Sequence, residues 1–446
     1  MSRWQHQEEA FQFARGRTDS LLHMGMGTGK TKVALDLLKD WDARKVLVVA
    51  PRSVVPVWGT QAGRHLPGHF NVLELCKGLT KVRATRLKMA LQTSPRLLAV
   101  VNYDAYWRGD LSKALLKTKW DCVIYDECHK LKDPRGISSR FARNNLRHAT
   151  FRRLALTGTL MPHSPLDAWA QGAALHPEFL GSSFVQFRSF YANIDNRKGF
   201  PEIKGFRNQE KLAERIRRFA YTCGRDVLTL PDLVEETVVI DLPDPVMKQY
   251  NLLRTKLRAE AEGGQIRLAN ALVKTLRLQQ LTGGLCKLSD EDSSVEIRST
   301  EKQEALGDLF ESSGDAPWVV FCRFRHDLSA VHAAAKEAGL TSMELSGERN
   351  ELREWQEGKA QVLAVQQQAG GVGVDMTRAR YMAYYSLGFS LGDYQQSLAR
   401  VHRPGLKHPV TVYHLTCRGT IDEAIYQSLA RREEVVEGIM QHLREP

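Results

Sequence analysis

Long apolar runs are missing from this sequence: nothing in it approaches the roughly 20 residues that a membrane-spanning helix requires. The amino-terminal MSRWQHQEEAFQF also lacks the apolar core of a signal peptide. Both absences argue against a membrane partner. Paired cysteines are missing too. The seven cysteines (Cys76, Cys122, Cys128, Cys223, Cys286, Cys322 and Cys417) are odd in number, and none has CxxC spacing. That excludes the usual patterns of a disulfide framework or a structural zinc site and fits a reducing, cytoplasmic compartment. Acid is in short supply. There are 51 Asp and Glu against 63 Lys and Arg, which leaves a formal charge of +12. A surplus of that sign favours a polyanionic partner such as nucleic acid.

What is present reads as an α/β protein. A length of 446 residues, 43% of them hydrophobic, suits two or three domains with real cores. Short apolar runs alternate with helix-like stretches in both halves. The first half has Lys45–Ala50, Leu97–Asn102, Cys122–Tyr125 and Leu154–Thr157. The second has Glu236–Leu242, Trp318–Phe321, Val362–Val365, Tyr381–Tyr385 and Val410–Leu415. Buried runs of this kind suggest two lobes, each a mostly parallel sheet covered by helices. Residues 1–175 form the first lobe in this reading, 176–231 a helical appendage and linker, and 232–446 the second lobe. The polar stretch Ser289–Thr300 reads as a loop. Apolar residues at Ile421, Ile425, Leu429, Val436, Ile439 and Leu443 suggest a docked carboxy-terminal helix.

Four motifs carry chemistry. In MGMGTGKTKVAL (24–35), Gly25, Gly27 and Gly29 allow a tight turn whose backbone N–H groups can surround phosphates. Lys30 would reach the β/γ-phosphates and the Thr31 hydroxyl would ligate Mg²⁺. Met24 stands where the strict pattern has its first glycine, so an ordinary glycine-rich turn is the alternative. In CVIYDECHK (122–130), Asp126 at a strand end can hold Mg²⁺, and Glu127 can orient and deprotonate water. In LALTGTLMP (154–162), Thr157 and Thr159 are small hydroxyl residues at another strand end. In FSLGDYQQSLARVHRPG (389–405), Arg400 and Arg403 are three apart, which on a helix puts both on one face. They could stabilise transition-state charge on a γ-phosphate; a solvated basic face is the alternative. Arg135, Arg140, Arg143 and Arg147 form a further basic run with no acid between them.

In this order the motifs resemble superfamily-two helicases, and more narrowly the Swi/Snf-type DNA translocase ATPases. WQHQ is similar to the family's opening motif, APRSVVPVW (50–58) to its P-x-S-…-W segment, VNYDAYW (101–107) to the DNA-side motif that follows, and GTIDEAI (419–425) to its closing motif. The resemblance covers nearly the whole chain. It implies two tandem RecA-like lobes, ATP and Mg²⁺ as cofactors, and DNA, duplex first, as partner. It makes Gln7 the candidate adenine reader, with Gly25, Gly27, Thr28, Gly29, Lys30 and Thr31 around the phosphates. Gly373 and Asp375 in AGGVGVDM would join the nucleotide from lobe two, and His129, Thr157, Thr159 and Gln396 would couple the lobes. The resemblance is to a minimal bacterial or phage version of the family. Gln366, Gln367, Phe389, Leu406 and Asp375 depart from the family's usual residues. Strand separation of DNA or RNA, the motor subunit of a restriction or defence complex, and a scaffold with an inactive ATP site are the alternatives.

Overall fold

A computed structural model describes residues 2–195, 202–262, 268–290, 293–367 and 374–431. Among these, the chain up to Thr229 forms one compact unit and the chain from Leu230 a second.

The strands of the first unit are β1 (Asp19–Met24), β2 (Lys45–Ala50), β3 (Asn71–Leu75), β4 (Leu97–Asn102), β5 (Trp120–Asp126), β6 (Thr150–Thr157), β7 (Ala192–Asp195), β8 (Glu202–Phe206) and β9 (Ala220–Cys223). Seven of them make a parallel sheet in the order β3-β4-β2-β5-β6-β1-β9. Successive residues of a strand point to opposite faces, and here both faces are buried. Leu47, Val49, Ala99, Val101, Val123 and Tyr125 pack on one side with the helices Thr80–Thr93, Gly109–Lys117 and Ala168–Leu175. Val46, Val48, Leu98, Val100, Cys122 and Ile124 pack on the other with Gln5–Arg15, Lys30–Asp40 and Val55–His65. This double burial is why β2 and β4 read as unbroken apolar runs.

The stretch 176–231 holds more than helix and linker. Besides the helices Phe184–Tyr191 and Gln209–Arg217, it forms the antiparallel β7–β8 pair, and its last strand, β9, completes the main sheet beside β1.

The second unit contains β10 (Leu233–Ile240), β11 (Leu285–Asp290), β12 (Ser293–Arg298), β13 (Trp318–Cys322), β14 (Ser342–Leu345), β15 (Val362–Gln366), β16 (Tyr381–Tyr384) and β17 (Val410–Cys417). Six make a second parallel sheet, ordered β10-β17-β16-β13-β15-β14. Leu306, Phe310, Leu328 and Val331, from the helices Glu301–Ser313 and Arg325–Glu337, cover Val320, Ala364 and Ala383. The stretch Ser289–Thr300, expected as a loop, instead holds the end of β11 and all of β12, which pair antiparallel with Ser289 opposite Ser294. A two-stranded ladder is closed by backbone hydrogen bonds, so a polar sequence can form it. Residues 421–431 are helical with Ile425 and Leu429 buried; Val436, Ile439 and Leu443 lie outside the described residues. Among the described residues no helix is long and apolar enough to cross a membrane.

Candidate nucleotide site

β1 is buried along its whole length and delivers the chain at Met24 to the glycine-rich turn. Gly27 and Gly29 have φ of 85° and 90°, a left-handed conformation that costs glycine little and other residues more. The helix Lys30–Asp40 starts directly after Gly29, so its first N–H groups face the turn. Lys30 bends back into the loop and donates from Nζ to the carbonyls of Met24 (2.9 Å) and Gly25 (3.3 Å). Thr28 is buried and donates from Oγ1 to Gly25 O at 2.7 Å. Thr31 is half-buried at the second position of the helix.

Gln7 clasps this loop. Its Nε2 donates to Thr28 O at 2.9 Å, and its Oε1 accepts from the backbone N of Trp4 at 3.1 Å. His6 Nε2 lies 2.9 Å from the same Thr28 oxygen. A side chain at Gly29 would collide with the Gln7 amide. One at Gly25 would meet Arg225 Cγ at 2.7 Å, just past β9.

The two acids sit at the end of β5. Asp126 Oδ2 accepts from Trp58 Nε1 at 2.8 Å, and Oδ1 accepts from the Glu127 backbone N at 3.0 Å. Tyr103 Oη donates to the Asp126 carbonyl at 2.9 Å. Glu127 has a left-handed backbone, φ 50°, uncommon for a residue with a side chain. His129 Nδ1 lies 3.2 Å from Glu127 Oε2 and 3.4 Å from Thr157 Oγ1. Thr157 Oγ1 donates to Thr159 O and accepts from Thr159 N, both at 3.0 Å. Between the two threonines, a side chain at Gly158 would meet Met26 Cγ at 2.9 Å and Lys30 Nζ at 3.5 Å. The structure thus brings Gln7, the phosphate-loop residues, Asp126, Glu127, His129, Thr157 and Thr159 into one continuous cluster.

Burial, together with the charge of Glu127, pushes the Asp126 carboxyl up to about 7, against the pull of Trp58 and Lys30. Burial opposes ionisation of Glu127 as well. There the hydrogen bond and charge of His129, with Lys30 and Lys130, outweigh it and hold the carboxyl below its ordinary range. Buried carboxylates at a strand end are hard oxygen donors of the kind Mg²⁺ takes. Among the described residues no three His, Cys, Asp or Glu side chains converge as a metal cage. Mg²⁺ commonly completes its shell from one or two carboxylates, water and substrate phosphates.

In the second unit the candidates are more dispersed. Arg400 is buried near the end of the helix Leu391–Val401, and Gln396 is half-buried on the same helix. That helix stops at Val401, so Arg403 lies beyond it. The shared helix face expected for Arg400 and Arg403 is not formed. The cause is Pro404, which disfavours a helical conformation at the residue before it. Arg403 Nη1 instead donates to Val374 O at 3.3 Å. Asp375 is exposed, and its Oδ1 accepts from the N and Oγ1 of Thr377 at 2.9 and 2.8 Å, so the carboxylate closes a local turn. Gly373 lies outside the described residues.

Trp58, Tyr103, His6 and Met26, which lie in the motif segments but carry no role from sequence, belong to the first-unit cluster, as does Arg225. A buried indole needs an acceptor for its N–H, but the sequence alone does not say that the acceptor is Asp126. Of the basic run, Arg143 is taken up by packing. Its Nη2 donates to Pro134 O at 2.6 Å, and its guanidinium lies 4.9 Å from the Trp169 ring centre. Arg135 and Arg140 are exposed.

Comparison with known proteins gives consistent matches. The SNF2-related domain family matches residues 6–283, and the helicase conserved C-terminal domain matches 301–405. Protein p41 of the Acyrthosiphon pisum secondary endosymbiont phage 1 is 25% identical over 430 residues, covering 90% of each chain. An uncharacterized ATP-dependent helicase of Mycoplasma pneumoniae is 22% identical over 449 residues, covering 97% of this chain and 41% of that protein. The chain thus spans less than half of the Mycoplasma relative. The Pyrococcus furiosus Hef helicase domain aligns with a TM-score of 0.56 at 16% identity, covering 96% of this chain and 97% of that one. That likeness is one of fold, to RecA-like sheet-and-helix units.

Proposed function

Because the chain belongs to the SNF2-related domain family, and so is a nucleic-acid-dependent ATPase of the helicase kind, we propose that it is a motor that advances along duplex DNA. The observation that carries the reading is a run of neighbouring residues in the first unit. It runs from Lys30 in the phosphate loop through Gly158 to Thr157, and on through His129 to Glu127. The net charge of +12 supports a polyanionic track.

In this reading the glycine-rich turn and Lys30 cradle the phosphates. Gln7 has one amide hydrogen and one oxygen lone pair left over from its bonds to Thr28 and Trp4. That pair matches the donor and acceptor on an adenine edge. Thr31 and Asp126 would hold Mg²⁺, which when bound neutralises phosphate charge. Glu127, kept ionised by His129, accepts the proton of the attacking water. Arg400 and Arg403 are the candidates for positive charge on the reacting phosphoryl group.

Translocation and strand separation differ in what they release. The test is displacement of a third strand from a triplex beside release of one strand from a forked duplex, both with ATP. Triplex displacement without duplex unwinding supports the proposal. Unwinding of the fork instead makes the chain a strand-separating helicase.

A further inference from the structure

Two buried aromatic side chains hold Asp126 from outside the phosphate-binding and acidic motifs. Trp58 lies in the helix Val55–His65, which follows β2 after the exposed Arg52 and Ser53. Tyr103 directly follows β4, next to the exposed Asp104 and Arg108. In the sheet β2 lies beside β5, and β4 lies beside β2. The exits of two neighbouring strands therefore meet at the end of the strand that carries the acids.

Their grips are complementary. The Trp58 ring is fully buried, and its one polar group donates to a carboxylate oxygen at 2.8 Å. Tyr103 donates to the carbonyl of the same residue at 2.9 Å, in the peptide that leads into the left-handed backbone of Glu127. The first fixes the plane of the carboxylate, and the second fixes the turn that aims Glu127. An ionised carboxylate has about four lone-pair sites. The Glu127 N–H and the Trp58 N–H take one on each oxygen, which leaves one on each for other partners.

We propose that Trp58 and Tyr103 are positioning residues for the reaction, which hold the Asp126 carboxylate and the turn into Glu127 in the arrangement that receives the metal ion. This rests on reading the chain as a nucleic-acid-dependent ATPase with Mg²⁺ at Asp126.

The test is Trp58→Phe, which keeps a large buried ring and removes the N–H. The first measurement is Mn²⁺ affinity in the presence of ADP, read from the electron paramagnetic resonance signal of the free ion, without nucleic acid. The second is the thermal midpoint, which reports whether the ring still packs. The expected result is metal affinity weakened roughly tenfold, the scale of one charge-assisted hydrogen bond, with a thermal midpoint close to the parent's. Unchanged metal affinity in a folded Trp58→Phe protein overturns the proposal and leaves the indole as core packing. If Trp58→Phe does not fold, Tyr103→Phe carries the test, with a weaker metal site expected and the parent's metal affinity overturning it. A parent protein that no nucleic acid stimulates would sink the functional reading instead, and the metal measurement would still report on the two aromatic residues.

Discussion

The imidazole of His129 stands with Nδ1 3.2 Å from the carboxylate of Glu127, and the same nitrogen lies 3.4 Å from the Thr157 hydroxyl. One ring therefore ties the end of β5 to the end of β6. His129→Ala should leave ATP affinity nearly unchanged and reduce nucleic-acid stimulation of turnover roughly tenfold, on the scale of coupling energies of 0.5–2 kcal/mol. Turnover with and without duplex DNA is the check. Equal stimulation in the variant would make His129 a packing residue.

Glu127→Gln keeps the side chain's shape and its left-handed backbone while removing the proton acceptor. ATP should still bind, and hydrolysis should fall about 100-fold or more, the usual contribution of a general base. Nucleotide binding by equilibrium dialysis beside single-turnover hydrolysis separates the two effects. Normal hydrolysis would move the base elsewhere.

Stability of the second unit depends on a buried ion pair. Lys302 Nζ lies 2.6 Å from Asp422 Oδ2 and donates to Tyr385 O at 3.1 Å, with both charged side chains almost fully buried. Lys302→Met strands the carboxylate and should cost about 3–5 kcal/mol in denaturant unfolding. Replacing both partners with apolar residues should cost less than the single change, because no unpaired charge is left behind. A double variant as unstable as Lys302→Met would contradict this.

Glu235 gives a pH dependence of known sign. Its Oε2 lies 3.1 Å from His414 Nε2 and accepts from Tyr394 Oη at 3.0 Å. The bond to His414, against an opposing push from burial, holds the carboxyl below its ordinary range. A carboxylate depressed on folding adds stability above its unfolded pKa, and that stability is lost as pH falls through the folded value. The side chain is 45% exposed, so the contribution is about 1 kcal/mol or less. Glu235→Gln should therefore be slightly less stable than the parent at pH 7, with the gap closing below about pH 4. A gap that widens on acidification would reverse the sign.

How far the sequence reaches depends on what each segment packs against. β2 and β4 match their apolar runs end to end because both faces are buried. β3, with the pattern NVLEL, lies half-exposed at the sheet edge and carries no such run. β9 is four residues long and borrows its place from β1, so 176–231 gives little local sign of a strand. The phosphate loop and the acids are legible because backbone geometry and charge dictate those residue types. Trp58 is a long-range partner, 68 positions from Asp126, and only the sheet order brings them together. Arg403 is a misplacement by periodicity: spacing of three implies one helix face, and the proline after it ends the helix first.

The most direct test of a duplex-driven motor is the ATP turnover rate of the full chain with no nucleic acid, with single-stranded DNA, with duplex DNA and with RNA, measured in parallel at one salt concentration. The expected result is a low rate alone and the largest stimulation with duplex DNA. A rate that no nucleic acid raises, or that RNA or single-stranded DNA raises more than duplex DNA does, would contradict it.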